Sequence, residues 1–209
     1  MNILLLACGS LRRELEEVLR RRQWAVKVEY LPPDLHMSPE DLAQAIERRL
    51  ETVRAQYDRV VVVYGRCAPG LDEVLERYGA ERLAGEHCYE VLADGRFMTL
   101  LREEPGTYFL TDFLCQNFRR VIKGLGLDRH PDLKKVYFRH YTRVVYLDTG
   151  THGRLEDKAK EIADYFCLPL TTIQVGVSGL EKRLARLLDG EGLESPLEGA
   201  PTLEARITP

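Results

Sequence analysis

The sequence predicts an α/β protein with a Rossmann-like parallel sheet sandwiched by helices. Short apolar runs alternate with segments of helical periodicity, and this order is typical of parallel strands joined by helical crossovers. The run 60–64 consists of four valines and a tyrosine, which suits a central strand covered on both faces. The 209 residues are 44% apolar and 30% charged, so we expect one soluble domain with a sizeable core.

The first half of the chain predicts strands and helices in strict alternation. The strands are expected at 2–7, 24–31, 59–64 and 81–84. One helix is expected to begin near Ser10. The next begins at Ser38, which is followed by Pro39 and two acidic residues, as at many helix N-termini. A third helix ends at Gly79, a residue type that suits a helix C-cap.

The second half of the chain changes pattern. No valine-rich run occurs within 91–141, so we predict a helical insertion that lies over the carboxyl edge of the sheet like a lid. Strands return at 143–147 and 168–175, each followed by a helical segment. We expect residues 1–189 to form a single α/β domain. We expect 190–209 to be a loosely ordered tail, because this segment is rich in Gly, Pro and Glu.

Charge and apolar patterning set limits on partners. The net charge of -3, from 33 acidic and 30 basic residues, provides no general attraction for nucleic acid or for an anionic membrane. No apolar run approaches the ~20 residues needed to span a bilayer, and the N-terminus lacks the basic segment of a signal peptide. We therefore expect a cytoplasmic protein with reduced cysteines and a small-molecule substrate.

Reactive side chains follow the ends of several predicted strands. The carboxyl ends of parallel strands share one edge, where α/β proteins bind their ligands. The residues expected there are Cys8, Cys67, His87, Cys88, Asp148 and Ser178. Three thiols and an imidazole suit a soft or borderline metal, most simply zinc. The predicted metal ligands are Cys8, Cys67, Cys88 and His87.

Two alternatives stand beside a zinc site. The same cysteines suit an iron–sulfur cluster, and free cysteine also packs in protein cores like a small apolar residue. Packing is the role expected for Cys115, which lies on an apolar helix face, and for Cys167, which lies at a helix end. The predicted ligands come from separate loops, an arrangement that suits a catalytic or substrate-holding metal better than a structural one.

A second group of polar residues interrupts the block 91–141. Asp112, Arg129 and His130 are the predicted catalytic residues, and we expect them to bind an anionic substrate or to transfer a proton. Helix capping is the alternative role for acidic residues in this block. Two further histidines, His140 and His152, are expected to be solvated.

Two residues that follow strands are candidates for cofactor binding. Gly9 occupies the position of a phosphate-binding turn between a strand and a helix, although the chain lacks the G-x-G-x-x-G pattern. Ser178 lies near the start of the last predicted helix, directly after the last predicted strand. Both positions lie on the edge of the sheet where the thiols are expected.

Five segments carry a family resemblance in combination. They are ACG at 7–9, YGRC at 64–67, GEHCYE at 85–90, PGTYFLTDF at 105–113 and GLGLDRHP at 124–131. Together they resemble the domain of unknown function 1638 family of bacteria and archaea, over nearly the whole chain up to about Leu188. Arg66-Cys67-Ala68-Pro69 departs from a loop that is richer in glycine in that family.

The resemblance implies a role in one-carbon metabolism. Members of the family are often encoded near corrinoid proteins and cobalamin-dependent methyltransferases, which implies a corrinoid protein or a methyltransferase as partner. The expected function is that of a metal-binding protein of methyl-group metabolism, in the form of a zinc-thiolate enzyme acting on a small methylated or anionic metabolite. The alternatives are a non-catalytic metal-carrying or corrinoid-protein-binding accessory factor and an iron–sulfur protein. The sequence leaves open whether the protein is an enzyme.

Overall fold

Strands and helices alternate along the chain in the computed structural model, which describes residues 1–190 except the side chains of residues 36 and 37. The strands in this range are β1 (Ile3–Cys8), β2 (Val26–Leu31), β3 (Arg59–Val63), β4 (Glu81–Arg82), β5 (Thr107–Thr111), β6 (Arg143–Asp148) and β7 (Leu170–Gln174). The α-helices are α1 (Arg12–Arg22), α2 (Pro39–Val53), α3 (Leu71–Tyr78), α4 (Cys88–Ala93), α5 (Gly95–Glu103), α6 (Asp112–Gly124), α7 (Leu133–Tyr137), α8 (Glu156–Phe166) and α9 (Ser178–Leu188).

The strands form two sheets, and every strand pair in them is parallel. The first sheet has the order β2-β1-β3-β4, and the second has the order β5-β6-β7. Helices join consecutive strands, as parallel pairing requires. The chain is therefore an α/β protein with a Rossmann-like arrangement, as the sequence predicts.

The first sheet is held by an apolar core on both faces. All six residues of β1 are buried, and so are four of the five residues of β3. Leu15 of α1 and Leu42 and Ile46 of α2 pack in the same core with no exposed surface. Fully burying a side chain of this size contributes about 1.5–3 kcal/mol, so the apolar runs of β1 and β3 fix the centre of this sheet.

The second sheet also has an apolar core on each face. Val144 and Tyr146 of β6 pack with Phe166 of α8 on one face. Val145 and Leu147 of the same strand pack with an aromatic cluster that includes Phe97 on the other face. The alternation of these four residues between two cores follows from the two-residue period of a strand.

Helices α4 and α9 connect the two sheets. Leu180 and Leu184 of α9 have no exposed surface and belong to the core of the first sheet, although α9 follows the last strand of the second sheet. Val91 of α4 lies in the same core, whereas Ala93 belongs to the aromatic cluster on the second sheet. The chain thus returns to its first sheet after it has completed its second.

The prediction of a wholly helical insertion at 91–141 was wrong. This block contains β5, which pairs with β6 from Thr107 opposite Arg143 to Thr111 opposite Leu147. Residues 107–111 read TYFLT, and threonine and aromatic residues favour strands as valine does. The single continuous sheet of the prediction is accordingly two sheets.

Two further points concern the limits of the described chain. The tail predicted for 190–209 lies outside the described residues after Gly190. Within residues 1–190, no helix has the length and apolar character that a bilayer crossing demands.

Candidate functional site

Two buried carboxylates and an imidazole meet at the carboxyl ends of the two sheets. Asp112 directly follows β5, His152 lies in the loop after β6, and Glu14 lies in the first turn of α1, which follows β1. One ligand atom from each of these three residues lies within 4.8 Å of the other two. The carboxylate side chains have no exposed surface, and the imidazole is 7% exposed. The cluster joins the first sheet to the second.

Local structure brings each side chain to this position. Thr111 caps α6 by accepting a hydrogen bond from the Leu114 N–H at 3.4 Å, which leaves the Asp112 carboxylate available for other contacts. In the loop after β6, Asp148 Oδ1 accepts a hydrogen bond from the Gly150 N–H at 2.8 Å. Gly150 has a φ of +70°, a conformation that glycine adopts without strain, and the resulting turn returns His152 to the edge of the sheet.

Asp112 accepts hydrogen bonds from one buried donor on β6 and one in the loop that follows it. Tyr146 Oη donates to its Oδ1 at 2.6 Å, and Thr149 Oγ1 donates to its Oδ2 at 2.5 Å. His152 Nδ1 lies 3.3 Å from Oδ2. Burial, followed by the hydrogen bond to Asp112, raises the pKa of Tyr146 well above its ordinary value, so the phenol stays protonated and keeps donating.

Glu14 brings a second carboxylate to the same hydroxyl groups. Its Oε1 lies 3.0 Å from Thr149 Oγ1, 3.3 Å from Thr151 Oγ1 and 3.8 Å from His152 Nδ1. Its Oε2 is buried and has no hydrogen-bond partner among the described residues. Burial raises the pKa of Glu14, because the charged form loses its hydration.

The hydrogen bonds of Thr149 show that this cluster lacks donors. A hydroxyl group has one hydrogen, yet Thr149 Oγ1 is within hydrogen-bond distance of Asp112, Glu14 and Thr151. Two carboxylates therefore compete for few protons in a buried site. Chemically, such a group can bind a cation or hold a shared proton.

The three thiols predicted as metal ligands also lie in one region of the first sheet. Cys8 ends β1 with 1% exposure, and its Sγ accepts a hydrogen bond from the Ser10 N–H at 3.4 Å. Cys67 follows β3, Cys88 begins α4, and both are half-buried against the core of the first sheet. Burial raises the pKa of the Cys88 thiol, and the neighbouring Cys67 and Cys8 raise it further. Tyr64 lies beside them, and burial and then Cys8 raise its pKa as well.

The sulfur atoms are nevertheless not all in mutual contact. In residues 1–35 and 38–190, Glu14, Asp112 and His152 form the only set of three His, Cys, Asp or Glu residues whose ligand atoms all lie within 4.8 Å of one another. At least one of the three distances between the sulfurs of Cys8, Cys67 and Cys88 therefore exceeds 4.8 Å. Ligands of one zinc ion, at about 2.3 Å from the metal, lie closer together than this.

Family comparison places the chain. The model of the family described as "Protein of unknown function (DUF1638)" matches residues 30–184. The chain belongs to this family. The matched range contains Cys67, Cys88, Asp112 and His152, whereas Glu14 precedes it. No curated protein matches the chain.

The His87 side chain contacts an aromatic ring. Its ring is exposed and meets the ring of Phe97 edge-on, with 6.1 Å between the ring centroids. Its backbone is close to the Cys67 loop, because a Cβ on Gly65 would lie 3.0 Å from His87 N and 2.8 Å from Glu86 O. Gly65 thus permits the two segments that carry Cys67 and His87 to touch.

The structure does not bring the three predicted catalytic residues together. Asp112 begins α6, whereas Arg129 and His130 are exposed and follow the end of that helix. At 1.5 Å per residue, the 13 residues of α6 separate the two ends by about 20 Å. Of the three, only Asp112 lies at the carboxyl edge of the sheet.

The two predicted cofactor-binding residues have other surroundings. A Cβ on Gly9 would lie 2.8 Å from Leu31 O and 3.0 Å from Pro33 Cδ, so the close approach of the chain after β2 accounts for the glycine. Ser178 is the exposed first residue of α9. Neither position contacts the Glu14 cluster through a hydrogen bond or an ion pair.

Sequence reasoning missed Glu14, Thr149, Thr151 and His152. The expectation that His152 is solvated was wrong, because its side chain is 7% exposed. One signal was present for Glu14. It lies three residues after Leu11 and four before Val18, so a charged residue occupies the apolar stripe of an amphipathic helix.

Proposed function

We propose that the protein binds a zinc ion through Cys8, Cys67 and Cys88 and acts on a small methylated or anionic metabolite. The observation that carries the proposal is that three thiols from three separate elements pack in or against one core. They are near enough that Cys67 and then Cys8 add to the rise that burial causes in the pKa of Cys88. Three neighbouring thiols cannot all ionise without a compensating positive charge, which a zinc ion supplies.

The position of the thiols supports a substrate site. Cys8 is the last residue of β1, and Cys67 follows β3. These are the two neighbouring central strands of the first sheet. Small ligands of parallel α/β proteins bind outside this edge. Cys67 and Cys88 are half-buried, so a metabolite could approach them.

The chemistry of the proposal is that of an activated thiolate. Bound zinc lowers the pKa of a coordinating thiol and leaves a thiolate nucleophile at neutral pH. Cys8 would be the fixed ligand, since its Sγ is held by the Ser10 N–H and lies 2.9 Å from Ser10 Oγ. Cys67 lies on a loop and Cys88 at a helix start, and coordination of one zinc ion requires both to shift until the three sulfur atoms converge. The methyl-group part of the proposal rests on the gene neighbourhood described for the family.

Elemental analysis tests this proposal. The full chain is purified without oxygen, incubated with zinc and a thiol reductant, and freed of unbound metal. We expect one tightly bound zinc in the native protein and in Cys167→Ser, because Cys167 is exposed and is the C-cap of α8, which packs on the second sheet. We expect Cys67→Ser to lose that zinc. Undiminished zinc in Cys67→Ser would overturn the proposal.

Two further measurements separate the alternatives. A brown protein that contains iron and sulfide after anaerobic purification would replace zinc by an iron–sulfur cluster. Methyl-transfer assays with methylated donors distinguish an enzyme from an accessory factor. An accessory factor would bind a corrinoid protein in a pull-down and would give no turnover.

A further inference from the structure

We propose that Glu14, Asp112 and His152 form a second metal site, which binds a divalent cation such as Mn²⁺ or Fe²⁺ at the junction of the two sheets. This site is separate from the thiols and uses different ligand chemistry. The inference does not depend on the zinc proposal.

The distances fit a common ion. His152 Nδ1 lies 3.3 Å from Asp112 Oδ2 and 3.8 Å from Glu14 Oε1. Oxygen and nitrogen ligands at about 2.1 Å from one ion lie roughly 3–4.2 Å from one another, depending on the angle between them. The imidazole therefore already stands at the separation that shared coordination requires from each carboxylate, and all three ligand atoms lie within 4.8 Å of one another.

The charges also call for a cation. Glu14 and Asp112 are fully buried, and burying a carboxylate without a counter-charge is costly. Among the described side chains, His152 is the one basic group within 4 Å of either carboxylate. An imidazolium balances one negative charge, whereas a divalent cation balances both.

An oxygen without a partner gives independent support. The Glu14 side chain has no exposed surface, so water does not reach its Oε2 atom. This oxygen also accepts no hydrogen bond from the described residues. Buried polar atoms are nearly always paired, and this oxygen belongs to the carboxylate that faces Asp112 and His152. A metal ion in the cluster would supply the missing partner.

The surrounding hydroxyl groups suit a shell that orients metal ligands. Tyr146 Oη holds Asp112 Oδ1 at 2.6 Å, and Thr149 Oγ1 holds Asp112 Oδ2 at 2.5 Å. Thr151 Oγ1 lies 2.9 Å from His152 Nδ1 and 3.3 Å from Glu14 Oε1, so it can donate to the carboxylate when the nitrogen binds a metal. Such outer partners fix the orientation of ligands and tune the affinity of the site.

The ligand types indicate the metal class. Carboxylates suit Mg²⁺, Ca²⁺ and Mn²⁺, whereas imidazole suits iron, zinc and other first-row metals. Two carboxylates with one imidazole favour Mn²⁺ or Fe²⁺, which take both ligand types. Three protein ligands leave coordination positions for water or for a substrate oxygen, at the sheet edge where α/β proteins bind small molecules.

Mn²⁺ binding to the full chain tests the site. Protein freed of all metal with a chelator, zinc included because it would compete for carboxylate and imidazole ligands, is titrated with Mn²⁺, and free Mn²⁺ is followed by electron paramagnetic resonance. We expect one site in the native protein and at least about 100-fold weaker binding in Glu14→Gln, which keeps the size of the side chain and removes the charge. Asp164→Asn changes an exposed carboxylate and should bind like the native protein. Cys67→Ser should also keep the Mn²⁺ site, which separates this inference from the zinc proposal.

Thermal unfolding decides between a metal site and a shared proton. With chelator present, Glu14→Gln should unfold at the same temperature as the native protein or above it, because a buried charge is removed. Mn²⁺ should raise the unfolding temperature of the native protein and leave that of Glu14→Gln unchanged. If Glu14→Gln fails to fold, His152→Gln serves in its place. Native protein that binds Mn²⁺ no more tightly than either variant would overturn the inference and would leave a proton-sharing network.

Discussion

The close contact between α9 and α4 predicts that a glycine-to-alanine substitution in α9 destabilises the protein, although this substitution usually stabilises a helix. Gly179 is the second residue of α9, and a Cβ at this position would lie 2.6 Å from Val91 O and 2.7 Å from Leu92 O. Both atoms belong to the backbone of α4, so an alanine would force the two helices apart. Leu180 and Leu184 have no exposed surface, and both would be displaced from their buried positions together with α9.

The magnitude follows from two opposing terms. Alanine in place of glycine inside a helix stabilises by about 1 kcal/mol in the absence of a clash. Overpacking of a dense interior costs about 1–3 kcal/mol, and a clash with rigid backbone lies at the upper end of that range. We therefore expect Gly179→Ala to lower the free energy of unfolding by about 1–2 kcal/mol. For a chain of this size the unfolding temperature would fall by roughly 2–8 °C.

Urea unfolding followed by circular dichroism measures this change. The matched control is Gly95→Ala at the first residue of α5, where a Cβ meets no atom within 4 Å. The control should be unchanged or more stable by up to about 1 kcal/mol. A Gly179→Ala protein as stable as its Gly95→Ala counterpart would refute the packing of α9 on α4 described here.

Two further predictions concern polar contacts. Thr149→Val should lower the free energy of unfolding by about 1.5–3 kcal/mol, measured by urea unfolding in the presence of chelator, because the hydroxyl that donates to the buried Asp112 carboxylate is lost. Glu29→Gln should show a pH-dependent loss, because two hydrogen bonds from Arg49 hold the pKa of Glu29 below its ordinary value of 4.5. A depressed folded-state pKa stabilises the protein above the unfolded-state pKa, and this contribution disappears as the pH falls through the folded-state value. The variant should be less stable by about 0.5–1 kcal/mol at pH 7 and equal to the native protein in strong acid.

Each of these variants has a clear control and a contradicting result. Thr171→Val replaces an exposed hydroxyl on β7 and should leave the stability nearly unchanged. Equal effects of Thr149→Val and Thr171→Val would show that the buried hydroxyl contributes nothing. For Glu29→Gln, a loss of stability that stays constant from pH 7 to strong acid would exclude the ion pair as its cause.

The strands that the sequence predicts best are those with continuous apolar runs. β1, β3 and β6 are buried on both faces, so every position selects an apolar residue and the run is visible without knowledge of the fold. Helix ends are similarly local. Pro39 begins α2 and Gly79 ends α3 with a φ of +62°, both as predicted. The strand β5 was not predicted, because its residues TYFLT include no valine and form no continuous aliphatic run.

The candidate site depends on contacts that no local pattern contains. Asp112 could be selected because a charged residue follows a strongly apolar segment directly. Glu14 and His152 reach it from α1 and from the loop after β6, and their meeting depends on how the second sheet is placed against the first. The thiols were easier to predict, because each ends or follows a strand of one parallel sheet. The distances between their sulfur atoms depend on the conformation of the loops, which the separation of the cysteines in the sequence does not determine.

The return of α9 has a consequence for how the chain matures on the ribosome. The core of the first sheet is incomplete until Leu180 and Leu184 have been synthesised and have left the ribosome, because both side chains are part of that core. The β2-β1-β3-β4 half can therefore complete its core only after the C-terminal half has been synthesised. A protein truncated before α9 would lack part of the core of its first sheet. The truncation would thus affect the N-terminal half of the chain, far along the sequence from the missing residues.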